Sequence, residues 1–266
     1  MISEVITCFL TQIIFTIGVI ILFGLLIALC NKLFYKNMGG FGKAACYITG
    51  FLGTPVHECS HALMCLIFGH KITEIKLFQI NSQDGTLGYV NHRYNTKNLY
   101  QKIGNFFIGI APIIVISGVL YILSILLVPN MLELILGQTK DIRLDEGIIG
   151  VLNDTLFIIR IFFSYASTLN WWIFLLIGMF LSLHMTLSTA DIKGAWSGLL
   201  LLLLVVLGID IVFAIVDIEI LSIFTRWCLS VGSYLSSVLI LSLTVSIFAV
   251  ILSYLFKVLL LKKKFS

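Results

Sequence analysis

The stretch Thr54-Pro55-Val56-His57-Glu58-Cys59-Ser60-His61-Ala62 sets three ionisable side chains inside the otherwise apolar run from Ala44 to Phe68. An ionisable group at mid-bilayer costs roughly 3 kcal/mol on insertion scales, so such residues need a chemical reason to be there. His57 and His61 are four residues apart, about one helical turn, and both imidazoles can reach one divalent ion. In an H-E-x-x-H pattern the glutamate, here Glu58, is not a ligand but the general base that takes a proton from the attacking water. With five His and six Glu in 266 residues, a shuffled chain would hold this pattern roughly once in 500.

The housing reads as membrane. The chain is 59% hydrophobic and 11% charged, with a mean hydropathy of +1.09; soluble domains carry about a quarter charged residues. A net charge of +4, with lysines gathered at the ends of apolar runs, reads as topology signal and excludes a nucleic-acid surface. Six cysteines (Cys8, Cys30, Cys46, Cys59, Cys65, Cys228) without C-x-x-C spacing predict packing residues rather than a disulfide framework.

Working outward, the apolar runs predict about six transmembrane helices: Val5 to Cys30, Ala44 to Phe68, Ile103 to Val128, Leu169 to Thr186, Ala195 to Val216 and about Leu229 to Leu261. The first is read as an uncleaved span with no chemistry of its own. Pro55 is expected to bend the second just ahead of the motif. Between the second and third spans, Ile72 to Tyr94 predicts a short β-hairpin turning near Asp84-Gly85. Its residues Gly85, Thr86, Leu87 and Gly88 are a candidate edge for an unwound substrate strand. Residues 147–166, interrupted by Asn153, Asp154 and Arg160, predict an interfacial or re-entrant helix. The fold class is therefore all-α and polytopic, one membrane domain divided as residues 1–43 (accessory), 44–194 (core) and 195–266 (two C-terminal spans and a basic tail). With both termini in the cytoplasm, ten Lys/Arg lie inside against seven outside, so the site is expected to open toward the cytoplasm.

A catalytic zinc takes three protein ligands and keeps one position open. Cys65 continues the motif's face but lies about 12 Å along the axis from His57, too far to share its ion. The third ligand must come from elsewhere; His184, Asp191, Asp210, Asp154 and His92 are candidates. Positions 184, 188 and 191 recur on one helical face, and on an unbroken helix His184 and Asp191 would be about 10 Å apart, so only one of them can reach the ion.

These residues carry a resemblance. His57-Glu58-Cys59-Ser60-His61, then Gly69, Ile72, a hairpin and a span bearing Ile110-Ala111-Pro112, resemble the site-2 protease family of intramembrane zinc metalloproteases over roughly Ala44 to Gly194. The resemblance implies a third ligand from an Asp-Gly motif in a later span. Asp191-Ile192-Lys193-Gly194 holds that place, with two residues separating Asp191 from Gly194. It further implies one Zn2+ held by His57, His61 and Asp191, Glu58 as base, and a membrane-protein substrate cut in or near its transmembrane segment. His184 and Ser188 are then donors beside the reacting groups, with His184 the alternative ligand. The expected location is a bacterial plasma membrane. A different class stays open, an ion or proton translocator using the same His, Glu and Asp.

Overall fold

The computed structural model describes residues 2–80, 85–131, 133–134, 156–157 and 159–264. The first apolar run forms α1 (Ile2–Ile13), a π-helical turn at Ile14–Gly18 and α2 (Val19–Met38). A 3-10 turn, Gly39–Phe41, follows and leads into α3 (Gly42–Ile67). The chain reverses here: Gly39 takes φ +53°, a conformation glycine adopts without steric cost. The hydroxyls of Tyr35 and Thr49 consequently meet at 3.3 Å, where fourteen residues of straight helix would hold them about 21 Å apart.

Strands β1 (Lys71–Lys76) and β2 (Tyr89–Arg93) pair antiparallel, with an irregularity between Ile72 and Glu74. Gly85 has φ +78°, consistent with a turn there, while Asp84 lies outside the described residues. Further helices among the described residues are α4 (Leu99–Leu127), α5 (Leu169–Ser182), α6 (Thr189–Val216) and α7 (Ile218–Lys264).

The result is a mostly helical, all-α-class membrane protein with one small two-stranded sheet among the described residues. Among the described residues four helical stretches are long and apolar enough to cross a bilayer, Ile2–Ile67, Leu99–Leu127, Thr189–Val216 and Ile218–Leu260, and α5 is a shorter apolar helix. Because Ile2–Ile67 folds back at Gly39–Phe41, it forms two helical limbs, each long enough to cross a bilayer. Exposed Leu200, Leu204, Val212 and Ile215 give α6 an apolar outer surface suited to lipid. Inside, Ile27, Ile113, Ile116, Leu120, Leu181 and Met185 form the main core. A second cluster gathers Met131, Phe162, Trp171, Phe174 and Leu241.

Two expectations are corrected. The fourth helix ends at Ser182, so positions 184, 188 and 191 do not share one helical face. The cause is competition for the backbone. Asn31 of α2 donates from Nδ2 to the carbonyls of Ser182 (3.1 Å) and Leu183 (3.2 Å), satisfying orphan acceptors at the end of α5. Six residues on, the Ser188 side chain starts a new helix. The last span is also longer than expected, because helix resumes at Ile218 after the single extended residue Asp217, whose Oδ1 accepts from the Glu219 N–H at 2.9 Å. Helix α3 is continuous through Pro55, which sits inside it. Half of the helix expected over 147–166 lies outside the described residues; of the rest, residues 156–157 and 159–164 are helical.

Candidate metal centre

The site is assembled from α3, α4 and the start of α6. On α3, His57 and His61 bring their Nε2 atoms to 3.2 Å. Each ring is fixed through its other nitrogen. His57 Nδ1–H donates to the His184 carbonyl at 2.7 Å, and His61 Nδ1–H donates to the Ile108 carbonyl at 2.8 Å. A carbonyl only accepts, so both protons sit on Nδ1 and both Nε2 lone pairs face inward.

Why is the Ile108 carbonyl free? Four residues on in α4 stands Pro112, which has no N–H to return to it. The proline thus releases one acceptor, and His61 uses it.

Asp191 arrives by a capping box. Ser188 caps α6 by accepting from the Asp191 N–H at 3.1 Å, and the Ser188 N–H donates to Asp191 Oδ2 at 2.7 Å. With Oδ2 tied, Oδ1 stands 3.4 Å from His61 Nε2. Close approach of α6 to α4 depends on Gly109, where a Cβ would meet Ala195 Cβ and the Asp191 carbonyl at 2.6 Å.

The ligand atoms of His57, His61 and Asp191 all lie within 4.8 Å of one another. Metal–nitrogen and metal–oxygen bonds of about 2.0–2.1 Å in a tetrahedron imply ligand-to-ligand edges of about 3.3 Å. The observed edges of 3.2 and 3.4 Å fit that figure. Two imidazole lone pairs and a carboxylate oxygen converge with no proton among them, an arrangement that a cation stabilises and that is otherwise repulsive.

Glu58, 6% exposed, lines the adjoining groove with Thr54, His57 and the hairpin's return segment. This groove has a volume of about 290 Å³ and is closed on other sides by Tyr35, Leu183, Thr186 and Ser188. Gly88 permits the approach, since a Cβ there would come within 2.8 Å of Glu58 Cγ and 2.9 Å of Thr54 Cγ2. Thr86 and Leu87 also line the groove; Gly85 is exposed and does not.

His184 lies beside the converging trio and outside it. Thr49 donates its hydroxyl proton to the Ala45 carbonyl (2.9 Å), so its oxygen accepts from His184 Nε2–H at 3.0 Å. His184 Nδ1 then faces the Thr54 hydroxyl at 3.4 Å. With both nitrogens engaged, the ring is a strut, and its carbonyl is what holds His57. Of the other candidates, Asp210 lies elsewhere, accepting from Gln12 Nε2 at 3.0 Å. His92 lies on β2, where burial, then the neighbouring His70 and His61, push its imidazole below the ordinary histidine range. Asp154 lies outside the described residues.

The helpers that sequence reasoning missed are Asn31, Tyr35, Thr49, Thr54 and the Ile108 carbonyl. Only the last had a readable sign, Pro112 four residues downstream.

Residues 50–137 match the model of a family described as "Putative zincin peptidase". The match takes in His57, Glu58, His61 and Pro112 and stops before Asp191. It supports a zinc metallopeptidase. No curated protein and no solved structure matches the chain.

Proposed function

We propose that the chain is an intramembrane zinc metalloprotease of the site-2 protease type, hydrolysing a peptide bond in or near a transmembrane segment of a membrane-protein substrate. The observation that carries the reading is the set of three inward-facing acceptors, His57 Nε2, His61 Nε2 and Asp191 Oδ1, beside a buried glutamate on an open groove. His57, His61 and Asp191 would hold zinc. Zinc, when bound, supplies Lewis-acid chemistry, making water acidic near neutral pH and polarising a carbonyl.

Glu58 does the proton work. Its carboxylate takes a proton from the attacking water as the water oxygen bonds to the scissile carbonyl carbon. It returns that proton to the amide nitrogen as the C–N bond breaks. The remaining residues hold geometry: Ile108 and His184 orient the rings, and Ser188 orients the carboxylate. A transmembrane helix shields its peptide bonds, so the substrate must unwind to react. The segment Thr86–Gly88, running along the groove, is the proposed edge against which it extends. By the lysine and arginine bias between the two faces, the groove opens to the cytoplasm.

The test is a comparison of new protein N-termini in membranes from cells expressing the chain or its Glu58→Gln variant. Cleavage ends inside or beside transmembrane segments should appear with the native chain alone, while the variant keeps its zinc. Identical profiles overturn the protease reading. Metal or proton flux in liposomes would then favour translocation.

A further inference from the structure

One helical turn beyond His61 a second constellation forms. Cys65, fully buried, His70, 4% exposed, and the half-buried His92 bring their sulfur and nitrogen ligand atoms within 4.8 Å of one another. We propose that Cys65, His70 and His92 form a second, structural metal site, suited to zinc, that pins the β-hairpin to the end of α3.

Three local structures build it. The first is the end of α3, a Schellman cap. Gly69 at φ +68° lets the His70 N–H reach back to the Cys65 carbonyl (2.8 Å) and the Gly69 N–H to the Leu66 carbonyl (3.2 Å). In this motif the residue after the glycine folds over the residue five positions earlier. A hydrophobic pair usually meets there; here the pair is a cysteine and a histidine.

The second is the start of α4. His70 Nε2–H donates to the Gln101 carbonyl at 2.8 Å, which puts the proton on Nε2 and turns the Nδ1 lone pair toward Cys65 and His92. Gln101 also donates from Nε2 to the Gly69 carbonyl at 2.8 Å, and Tyr94 stacks on the His70 ring at 5.0 Å between centroids. The ring cannot turn without breaking these contacts.

The third is the strand register. Ile72 pairs with His92 across the hairpin, which brings the His92 Nδ1 to 3.0 Å from that of His70. Ligand bonds of about 2.0–2.1 Å to nitrogen and 2.3 Å to sulfur need edges of about 3.3 Å between the nitrogens and a little more to sulfur. The nitrogens are already that close. One thiolate and two imidazoles form a borderline-soft set that suits zinc and fill three positions of a tetrahedron. A simple His92-to-His70 hydrogen bond would account for the nitrogen pair but not for the sulfur converging on the same point.

The site's consequence is mechanical. The return segment beside Glu58 belongs to the hairpin, and a bond from His92 to the end of α3 fixes the hairpin's base.

The centre proposed for catalysis contains no cysteine, so cobalt distinguishes the two. The full chain in detergent, stripped with a chelator and titrated with Co2+, should show a thiolate-to-cobalt charge-transfer band. Cys65→Ser should abolish the band and keep the other bound equivalent, whereas His57→Ala should keep the band. The milder His92→Gln variant should weaken the band-forming site at least about tenfold. The proposal is overturned if the native chain gives no band, if the band persists in Cys65→Ser, or if His92→Gln binds with unchanged affinity.

Discussion

The His61 Nδ1 atom stands 2.8 Å from the carbonyl oxygen of Ile108, the oxygen that Pro112 leaves without a helical donor. A proline deep in one membrane helix thereby orients a histidine on another. Restoring the missing N–H with Pro112→Ala lets α4 reclaim the carbonyl, and His61 loses its tether. Zinc affinity, measured against a competing chelator, should fall about ten- to a hundredfold, the usual effect of removing a ligand's hydrogen-bond partner. Helicity should hold or rise, because alanine is the better helix former. Unchanged affinity would show that the proline serves only packing.

Ser188 should act through Asp191. Ser188→Ala removes the hydroxyl that accepts from the Asp191 N–H but keeps the backbone donor to Oδ2. A lost N-cap costs about 1 kcal/mol, concentrated in the first turn of α6, where Asp191 resides. Weaker zinc binding is expected in Ser188→Ala, with recovery in Ser188→Thr, which can cap. Failure of threonine to rescue would mean that Ser188 contributes as a groove contact rather than a cap.

Much of the fold and the site is legible in the amino-acid sequence, and the limits have physical causes. His57, Glu58 and His61 declare themselves because three ionisable groups at helical spacing in an apolar run are costly to bury unless they serve chemistry. The hairpin shows through its alternation and Gly85. Asp191 is harder to place, since its approach depends on Gly109 and Gly198, where close packing of α4 on α6 leaves no room for a Cβ. Such packing is a relation between distant segments and leaves no local periodicity. The helical face drawn through His184 fails by continuity: the apolar pattern runs past Ser182, while the helix ends there, its last carbonyls held by Asn31, about 150 residues away. Spacing places Cys65 too far from His57 to share its ion. What spacing alone does not show is the cap at Gly69 that folds His70 over it.

A second buried polar cluster ties three helices far from the metal centre. Gln12 Nε2 on α1 donates to Asp210 Oδ1 on α6 at 3.0 Å and to the Thr225 hydroxyl on α7 at 2.9 Å. Asp210 is fully buried. Gln12→Leu strips it of this donor and should destabilise the fold by about 1–3 kcal/mol. Adding Asp210→Leu should recover much of the loss, because removing both partners removes the unmet polar group as well. The thermal midpoint in detergent reads both effects; an additive double variant would mean the two side chains are not coupled.

The last expectation separates the His184 ring from its carbonyl. A Cβ at Gly53 would lie 2.5 Å from His184 Cδ2 and 2.5 Å from the Phe180 carbonyl, so Gly53→Ala must push the segment carrying His184 away from α3. That segment holds His57 through the His184 carbonyl at 2.7 Å. Zinc binding in Gly53→Ala should therefore fall by at least about tenfold. His184→Ala loses the ring's struts to Thr49 and Thr54 but keeps the carbonyl, so it should be the milder change. Combining the two removes the ring clash and leaves the one with Phe180, so affinity should recover in part. If His184→Ala alone abolished zinc binding, the ring itself would be a ligand and Asp191 would be displaced from that role.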